Sequence, residues 1–477
     1  MFRSRFNKYR KLTIFILVFQ LLVSSFFFSK VFGESAYGVF SSHVLEVEFQ
    51  NKTGLQDMNE YFNYVDRQMQ DLGAKWTRLN LIFQWSLVEP IIGGGYDWDS
   101  PSGGTDTLIN AIYKPGNDID LLAVIHPWRK DGMNALTNPI EYARFVNDLA
   151  ERFDGDGLED IDSGAKVDYF QLVNEIDQIS NRDDPFTLAQ YVHVANLTLS
   201  SLRASNPDAK LVLVAQISAN EVIEEMESIL QIAKNAGIDF HAVDLHWWGD
   251  DSQWQAPVVT DMRSFLGSLG LDNVEIWSTE NGTYSGCPNQ TIEQSEADQA
   301  RSLIKRAVYG RAKGLDRYFW NKLIDFYQFK GFNDSVYNTM GLISDGEGSC
   351  DDSVVGQRRQ AYYSYQKLIQ YTDLDTAILM GEIQLCQSVG PCDAYGFEWI
   401  NKLDGSSMYI LWKEGDAEIV ELDLSGSRIA NIIPLVSENL NGSQGIQVRV
   451  PDYGILQLKI DTNPILVIAN PSTITQN

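Results

Sequence analysis

Two glutamates each follow an apolar segment of the chain and could act as a catalytic pair. One residue separates Glu175 from the run Tyr169–Val173, and one separates Glu280 from the run Val274–Ser278. Hydrolysis of a glycosidic bond needs two carboxylates: one protonates the leaving oxygen, and the other attacks the anomeric carbon or activates water. Most glutamates are solvated surface groups, so either one alone indicates nothing. Their matching positions favour a shared site if the fold brings them together.

The elements that would position them form a regular alternation of short apolar strands and longer amphipathic helices. Strands are predicted at 37–40, 76–81, 120–125, 169–173, 211–214, 242–246, 274–278 and 317–320. Helices are predicted near 56–72, 104–114, 138–153, 187–204, 219–236, 257–269, 292–313 and 356–371. Eight strands, each followed by a helix, predict a (β/α)8 barrel, in which catalytic residues lie at the C-terminal ends of strands. An open doubly wound sheet is the alternative, but the sequence has no Gly-rich phosphate loop.

The pattern changes near residue 374, where helical periodicity gives way to short alternating strands separated by glycine-containing turns. This pattern predicts a small C-terminal β-sandwich. We therefore expect a barrel over 34–373, a β-sandwich over 374–469 and a disordered polar tail over 470–477. The sandwich either supports the barrel, with Trp399 and Trp412 in its core, or binds carbohydrate through them.

The N-terminal segment has the pattern of an export signal. Five basic residues between Arg3 and Lys11 precede an apolar run of seventeen residues, Leu12–Phe28, and cleavage after Gly33 is expected. The protein is then secreted or extracytoplasmic. An uncleaved N-terminal anchor is the alternative, because the run approaches the length that spans a membrane.

The chain is strongly acidic, with a formal net charge of −27 at pH 7. Removal of residues 1–33 leaves 31 basic against 64 acidic residues, a net charge of −33. Such a surface repels nucleic acid and anionic polymers and is compatible with a neutral substrate. We expect no nucleic-acid partner, and no stable membrane contact once the signal is cleaved.

Four cysteines lie in the C-terminal part of the chain, and an even number in an exported protein predicts two disulfides. Of the three possible pairings, we favour Cys287–Cys350 together with a short clip, Cys386–Cys392. The sequence lacks CxxC and HExxH spacings, so we expect no metal and no cofactor.

Several local patterns together resemble the clan A glycoside hydrolases, which are retaining (β/α)8 enzymes. The resemblance spans about residues 36–372. In layout the chain is most similar to the family 39 xylosidase and iduronidase branch or to cellulase-like relatives. The matching segments are Trp76-Thr77-Arg78-Leu79-Asn80, Trp85, Glu89-Pro90, Gly95-Tyr96-Asp97-Trp98, Asn174-Glu175, His246-Trp247-Trp248, Thr279-Glu280 and Trp320.

The resemblance implies a role for each matched residue. Glu175 would be the acid/base and Glu280 the nucleophile. The implied substrate-binding residues are Asn174 at the sugar 2-hydroxyl, Arg78 beneath Glu280, His246 lining the subsite of the transferred sugar, and Trp320 as its floor.

One departure concerns the tyrosine that many clan members carry near the end of strand six to support the nucleophile. Here Trp247 and Trp248 occupy that region, so either an indole, with Trp248 as our candidate, or the phenol of Tyr284 would take its place. His126, after strand three, either bonds a sugar hydroxyl or caps a loop. Other candidate stacking platforms are Trp85, Trp128, Trp247 and Trp254.

The sequence therefore predicts a retaining hydrolase of β-glycosidic bonds in a neutral oligo- or polysaccharide. A carboxylate separation of about 5 Å would make the enzyme retaining, and a wider one inverting. A transglycosylase on the same site and a non-catalytic carbohydrate-binding barrel are the alternatives. The glycosylation sequon at Asn281 adjoins Glu280, and we expect it to be unoccupied.

Overall fold

The computed structural model describes residues 35–40, 53–55, 57–99, 104–114, 117–175, 186–288, 291–325, 336–346, 350, 353–385, 393–437 and 445–471. The predicted signal segment and the predicted Cys386–Cys392 clip lie outside these ranges. Within them, no helix combines the length and the apolar character that crossing a membrane requires.

The first part of the chain is a closed barrel of parallel strands, which confirms the predicted barrel. The strands are β1 (Tyr37–Phe40), β2 (Trp76–Gln84), β3 (Asp120–His126), β4 (Tyr169–Leu172), β5 (Lys210–Ile217), β6 (Ala242–Trp248), β7 (Glu275–Gly282) and β8 (Arg317–Trp320). The helices that follow them in turn are α1 (Met58–Leu72), α2 (Thr105–Ile112), α3 (Pro139–Arg152), α4 (Leu188–Ser205), α5 (Glu224–Asn235), α6 (Pro257–Ser268), α7 (Glu296–Ala312) and α8 (Gln360–Thr372). Strand β1 pairs with β8 and closes the barrel.

Side-chain bonds at the helix starts explain why α5 and α7 begin later than their hydrophobic periodicity predicts. Before α5, the Gln216 side chain donates to the Glu221 carbonyl and accepts from the Ile223 amide, which holds that backbone outside the helix. Before α7, Ser295 and Asp298 form a reciprocal capping box. Polar side chains therefore set both helix starts, because they satisfy backbone groups that would otherwise lack partners.

A small apolar cluster fills the lower part of the barrel. Its buried members come from strands β2, β3, β5, β6, β7 and β8: Trp76, Leu122, Val212, Ala242, Trp277 and Phe319. Successive side chains of a strand alternate between its two faces, so residues two positions further along point the same way. The residues two positions after the members of this cluster therefore form the next layer of inward side chains, nearer the C-terminal end of the barrel.

The C-terminal part is built from antiparallel strands, which confirms the predicted β-sandwich. One sheet has the order β14-β13-β16-β11-β10-β9, and the other pairs β12 with β15. These strands are β9 (Ala377–Glu382), β10 (Ala394–Asn401), β11 (Ser407–Lys413), β12 (Glu418–Asp423), β13 (Ser427–Pro434), β14 (Ile446–Arg449), β15 (Ile455–Ile460) and β16 (Ile465–Pro471). Strand β16 includes residues 470 and 471, and residues 472–477 lie outside the described ranges, so the disordered tail stays a prediction.

Aromatic rings join the sandwich to the barrel. The Trp412 ring of β11 lies 5.3 Å from Trp254, which precedes α6, and both are buried. The Lys305 ammonium of α7 donates to the Glu414 carboxylate across 2.7 Å. Trp399 is buried as well. Trp399 and Trp412 are therefore core residues that offer no exposed face to a carbohydrate.

Candidate active site

A layer of polar side chains lies above the apolar cluster inside the barrel. Arg78, Gln171, Asp244 and Thr279 come two residues after Trp76, Tyr169, Ala242 and Trp277, and all four are fully buried. Buried polar groups are costly unless they bond one another. The bonds within this layer therefore determine how the groups above it are held.

Strand β7 carries an extra residue that re-aims Glu280. Asp244 of β6 pairs with Trp277 of β7, and the next pair is His246 with Glu280. Between these pairs β6 advances by two residues and β7 by three. Such a bulge bends the strand and redirects its side chains. Because pairing resumes beyond it, β7 continues to Gly282, and Glu280 lies within the strand rather than after its predicted end at Ser278.

Strand β4 ends in an unusual backbone conformation just before the other glutamate. Val173, a buried β-branched residue, has φ +68°, a region that costs such a residue about 1–3 kcal/mol. The turn ends the strand at Leu172 and sets the direction in which Asn174 and Glu175 leave it. Strained backbone is concentrated at functional sites, so this conformation marks the segment as a site candidate.

Arg78 bonds three side chains of this region at once. Its Nη1 donates to Glu280 Oε1 across 2.5 Å and its Nη2 to Asn174 Oδ1 across 2.7 Å. Its Nε donates to Gln171 Oε1 across 2.9 Å. The guanidinium lies beneath Glu280, as the resemblance implied, and also fixes the amide plane of Asn174, so that the amide nitrogen lies on the side away from Arg78.

His246 lies between the two glutamates. Its Nδ1 is 2.9 Å from Glu175 Oε1 and 3.7 Å from Glu280 Oε2, and its Nε2 is 3.4 Å from Asp244 Oδ2. Burial by itself lowers the pKa of His246. The three surrounding carboxylates, Glu280 foremost, outweigh burial and raise that pKa to about 9. Glu175 therefore faces a group that can hold a proton near it.

The two glutamates are close enough for a double displacement. One carboxylate oxygen of Glu175, one of Glu280 and a ring nitrogen of His246 all lie within 4.8 Å of one another. Retaining glycosidases place their carboxyl groups about 5–5.5 Å apart, whereas inverting ones leave about 6.5–9.5 Å for a water. The separation of at most 4.8 Å between these carboxylate oxygens is shorter than the inverting range.

Among the residues that the structure describes, two clusters of acidic and histidine side chains are compact enough to hold a metal ion. In the cluster of Glu175, His246 and Glu280, the Arg78 guanidinium already neutralises Glu280 and would repel a cation. The cluster of Asp154, Asp156 and Asp160 lies in the turn after α3. The Asp154 carboxylate accepts from the Asp156 amide, and Asp160 accepts from the amides of Gly155 and Gly157, so backbone donors already use these oxygens.

Trp248 and Tyr337 form an aromatic wall beside the glutamates. Trp248 is half-buried at the end of β6, and Tyr337 lies in a 3-10 helix, Val336–Thr339, with 40% of its surface exposed. Their rings meet edge to face with centroids 5.5 Å apart. Burial first, and then the charges of Glu280 and Glu175, raise the pKa of Tyr337, which places its phenol in the field of both carboxylates.

The aromatic wall borders a cavity of about 260 Å³. Its other lining residues are Gly249, Asp250, Tyr284, Thr291, Val336 and Met340. A side chain at Gly282 would stand 2.8 Å from the Asn321 carbonyl and 3.7 Å from both the Trp248 and Trp320 rings. Glycine at this position therefore lets the end of β7 pack closely against the Asn321 carbonyl.

The structure corrects two predicted roles. The Tyr284 hydroxyl donates to the Ile292 carbonyl across 2.9 Å, so this phenol does not support Glu280 and serves only as part of the cavity lining. Trp320 is fully buried and its Nε1 donates to the Met340 carbonyl. In this structure Trp320 supports the site from behind and presents no face to a sugar.

The other tryptophans predicted as stacking platforms differ in how far they are buried. Trp85, Trp247 and Trp254 are buried core residues, whereas Trp128 is half-buried and stacks on Phe186 with centroids 5.1 Å apart. His126 Nε2, at the end of β3, lies 3.1 Å from Asn80 Oδ1 in the middle of β2. Of the four candidate platforms, Trp128 alone keeps an exposed surface.

Covalent and steric features of the loops agree with two further predictions. Cys287 and Cys350 form a disulfide, as predicted, which joins the loop after β7 to the loop after β8. The Asn281 side chain is fully buried and donates to the Phe319 carbonyl across 2.6 Å. A glycan at Asn281 is incompatible with this fold.

Three residues of the site were not identified from the sequence. Gln171 and Asp244 carry a usable signal, because each is a polar residue in the middle of an apolar strand rather than at its end. Tyr337 had no such signal, since its sequence segment between β8 and α8 shows neither the alternation of a strand nor the periodicity of an α-helix.

The fold resembles that of solved glycosidases. A GH39 enzyme from Xanthomonas axonopodis pv. citri is 14% identical, with a TM-score of 0.57 over 92% of this chain and 94% of that one. A GH39 β-xylosidase from Caulobacter crescentus is 14% identical, with a TM-score of 0.56 over 93% and 96%. An α-L-arabinofuranosidase from Thermotoga maritima is 11% identical, with a TM-score of 0.59 over 91% and 96%.

No protein-family model matches the sequence, and no curated protein matches it significantly. At these low identities the structural likeness establishes the fold. The chain therefore has the same barrel fold as these solved glycosidases, and the predicted resemblance is confirmed at the level of the fold.

Proposed function

We propose that this protein is a retaining glycoside hydrolase that cleaves β-glycosidic bonds of a neutral oligo- or polysaccharide. The single observation that carries the proposal is the placement of the Glu175 and Glu280 carboxylates within 4.8 Å of each other, with Arg78 bound to one and His246 to the other. The glycosidase neighbours support a carbohydrate substrate.

In the first step, Glu280 attacks the anomeric carbon while Glu175 gives its proton to the leaving oxygen. The Arg78 guanidinium favours the anionic form of Glu280 and fixes the position of the attacking oxygen. The bond from the anomeric carbon to the leaving oxygen breaks as the bond to Glu280 forms. The product is an α-linked glycosyl-enzyme and a free alcohol.

In the second step, Glu175 takes a proton from a water molecule, which attacks the anomeric carbon and releases Glu280. Esterification of Glu280 removes one negative charge near the pair of Glu175 and His246. That loss favours the ionised form of Glu175, which suits its new role as base. The configuration of the sugar is retained overall.

Neighbouring side chains would bind the sugar. The Asn174 amide, oriented by Arg78, is placed to donate to the 2-hydroxyl next to the cleaved bond. Trp248 and Tyr337 offer aromatic faces and edges to the apolar face of a ring. His126 and Trp128, at the end of β3, would bind on the opposite side of the barrel from the aromatic wall.

The acidic composition and the Cys287–Cys350 disulfide support an extracytoplasmic site of action on an uncharged substrate. A uronic-acid polymer would be repelled by a chain of net charge −27. The preferred sugar and linkage depend on the loops after the strands.

The test is a panel of aryl β-glycosides and neutral polysaccharides, followed by trapping with the 2-deoxy-2-fluoro analogue of the best glycone carrying a good leaving group. We expect hydrolysis of at least one substrate and a mass increase on the peptide that contains Glu280. Sugar binding without any hydrolysis or trapping would instead identify a non-catalytic barrel. Transfer to added sugar in preference to water would identify a transglycosylase.

A further inference from the structure

Asp244 is a fully buried carboxylate directly below the two glutamates. Its Oδ2 accepts from Gln171 Nε2 across 2.8 Å and from Thr279 Oγ1 across 2.5 Å, and its Oδ1 accepts from the Thr279 amide across 3.0 Å. Burial alone would raise the pKa of Asp244, but His246, Arg78 and the Thr279 hydroxyl outweigh burial and lower it. The group is therefore an anion inside the barrel.

Two chains of contacts lead from Asp244 to the two glutamates. One runs through Gln171, whose amide oxygen accepts from Arg78, and Arg78 in turn donates to Glu280. The other runs through His246, whose ring lies 3.4 Å from Asp244 and 2.9 Å from Glu175. Asp244 thus contacts both Gln171, which bonds Arg78 beneath Glu280, and His246, which contacts Glu175.

Stability alone gives no reason for a carboxylate at this position. A buried ion costs several kcal/mol in lost hydration, and an apolar side chain of similar size is often neutral or stabilising in its place. The other inward residues at the level of Asp244 include Arg78 and Gln171, which also serve the glutamates. This polar layer of the barrel therefore serves to hold the two glutamates.

We propose that Asp244 is a positioning residue that holds a proton on the pair formed by His246 and Glu175 and, through Gln171, orients Arg78 under Glu280. This inference rests on the proposed function in so far as Glu175 is the acid/base.

The charges that face His246 come from several elements. Glu175 approaches from the end of β4, Glu280 from β7 and Asp244 from its own strand, while Arg78 of β2 lies beyond Asp244. Within the pair, the shared proton lies either on His246, with Glu175 ionised, or on Glu175, with His246 neutral. These two forms carry the same charge and titrate together.

The anion of Asp244 raises the pH at which this pair loses its proton. In Asp244→Asn the charge is gone while the size is kept, so the pair loses its proton at lower pH. Because catalysis needs the proton on Glu175, the basic limb of the kcat/KM profile moves to lower pH.

The direct test is NMR titration of the imidazoles in the full-length protein with 15N-labelled histidine. The chain has five histidines, and His246→Gln assigns the signal of interest. We expect His246 to titrate well above pH 6.5 in the wild type and about one pH unit or more lower in Asp244→Asn. Asp261→Asn, at an exposed position of α6, is the matched control and should leave the midpoint unchanged.

An unchanged His246 midpoint in folded Asp244→Asn would overturn the proposal. If that variant does not fold, the titration of His246 in the wild type tests the proposal instead. A midpoint near the ordinary 6.5 would contradict a proton held on the pair by buried anions. Kinetics add a second readout, the downward shift of the basic limb by the same amount. Failure of the proposed function is distinguishable, since then no substrate is hydrolysed although the midpoint still shifts.

Discussion

The Arg78 guanidinium donates to the Glu280 carboxylate across 2.5 Å, with Arg78 fully buried and the Glu280 side chain 12% exposed. A charge-assisted bond in such a dry site is stronger than one in water. It fixes the orientation of the Glu280 carboxylate. The same guanidinium holds Asn174, so one residue fixes both the proposed nucleophile and the amide proposed to bind the sugar.

Arg78→Lys should reduce kcat/KM about 100-fold while the protein remains folded, because an ammonium cannot bond Gln171, Glu280 and Asn174 in one plane. Steady-state kinetics on the best aryl glycoside measure the loss. Arg67→Lys, on the barrel helix α1, serves as the matched control. Wild-type kinetics in Arg78→Lys would mean that the guanidinium does not orient the nucleophile.

Glu175→Ala should separate substrates by their leaving group. Glycosides of good leaving groups need little proton donation and should keep much of their first-step rate, whereas natural substrates should lose about 10²–10⁴-fold. Added azide should accelerate the second step on activated substrates and give a β-glycosyl azide. Glu225→Ala, at an exposed position of α5, should behave like the wild type. Equal losses on all substrates would argue against Glu175 as the acid/base.

Trp248→Ala should raise KM about tenfold and change kcat less, since removal of an aromatic surface weakens sugar binding by about 1–1.5 kcal/mol. Tyr337→Ala should act in the same direction, because the two rings pack edge to face. Tyr453→Ala removes an exposed ring of the sandwich and is the control. If both wall variants retain the wild-type KM, the adjoining cavity is not on the path of the substrate.

The double variant Cys287→Ser/Cys350→Ser should lower the free energy of unfolding by about 2–4 kcal/mol, because the disulfide closes a long loop with a sequence separation of 63. Urea unfolding followed by tryptophan fluorescence measures the change. Reduction of the wild type, which would also open the predicted Cys386–Cys392 clip, should lower the free energy of unfolding at least as much. An unchanged midpoint would show that other contacts hold the loops after β7 and β8 in place.

The barrel could be predicted from the sequence because each strand carries an apolar run and each helix a 3.6-residue periodicity. Both glutamates could be found for the same reason, since they follow such runs. The strand boundaries were less accurate, because the bulge near Thr279 depends on pairing between β6 and β7. Pairing between distant segments leaves no local pattern.

The surroundings of the glutamates depended on three-dimensional proximity. Asp244 and Gln171 become meaningful only when β4 and β6, which flank β5, bring their inward side chains together. Tyr337 reaches the site through a loop whose path no periodicity describes. Conversely, Trp320 matched the sequence pattern of a sugar platform, yet packing against Met340 leaves its ring without an exposed face.

The most direct test of the central claim is the product formed by Glu280→Gly in the presence of azide. Removal of the nucleophile should lower hydrolysis of an aryl β-glycoside by about four orders of magnitude or more. Azide should then enter the space left by the carboxylate and give an α-glycosyl azide, identified by NMR. Hydrolysis near the wild-type rate, or a rescued product of β configuration, would contradict Glu280 as the nucleophile of a retaining pair.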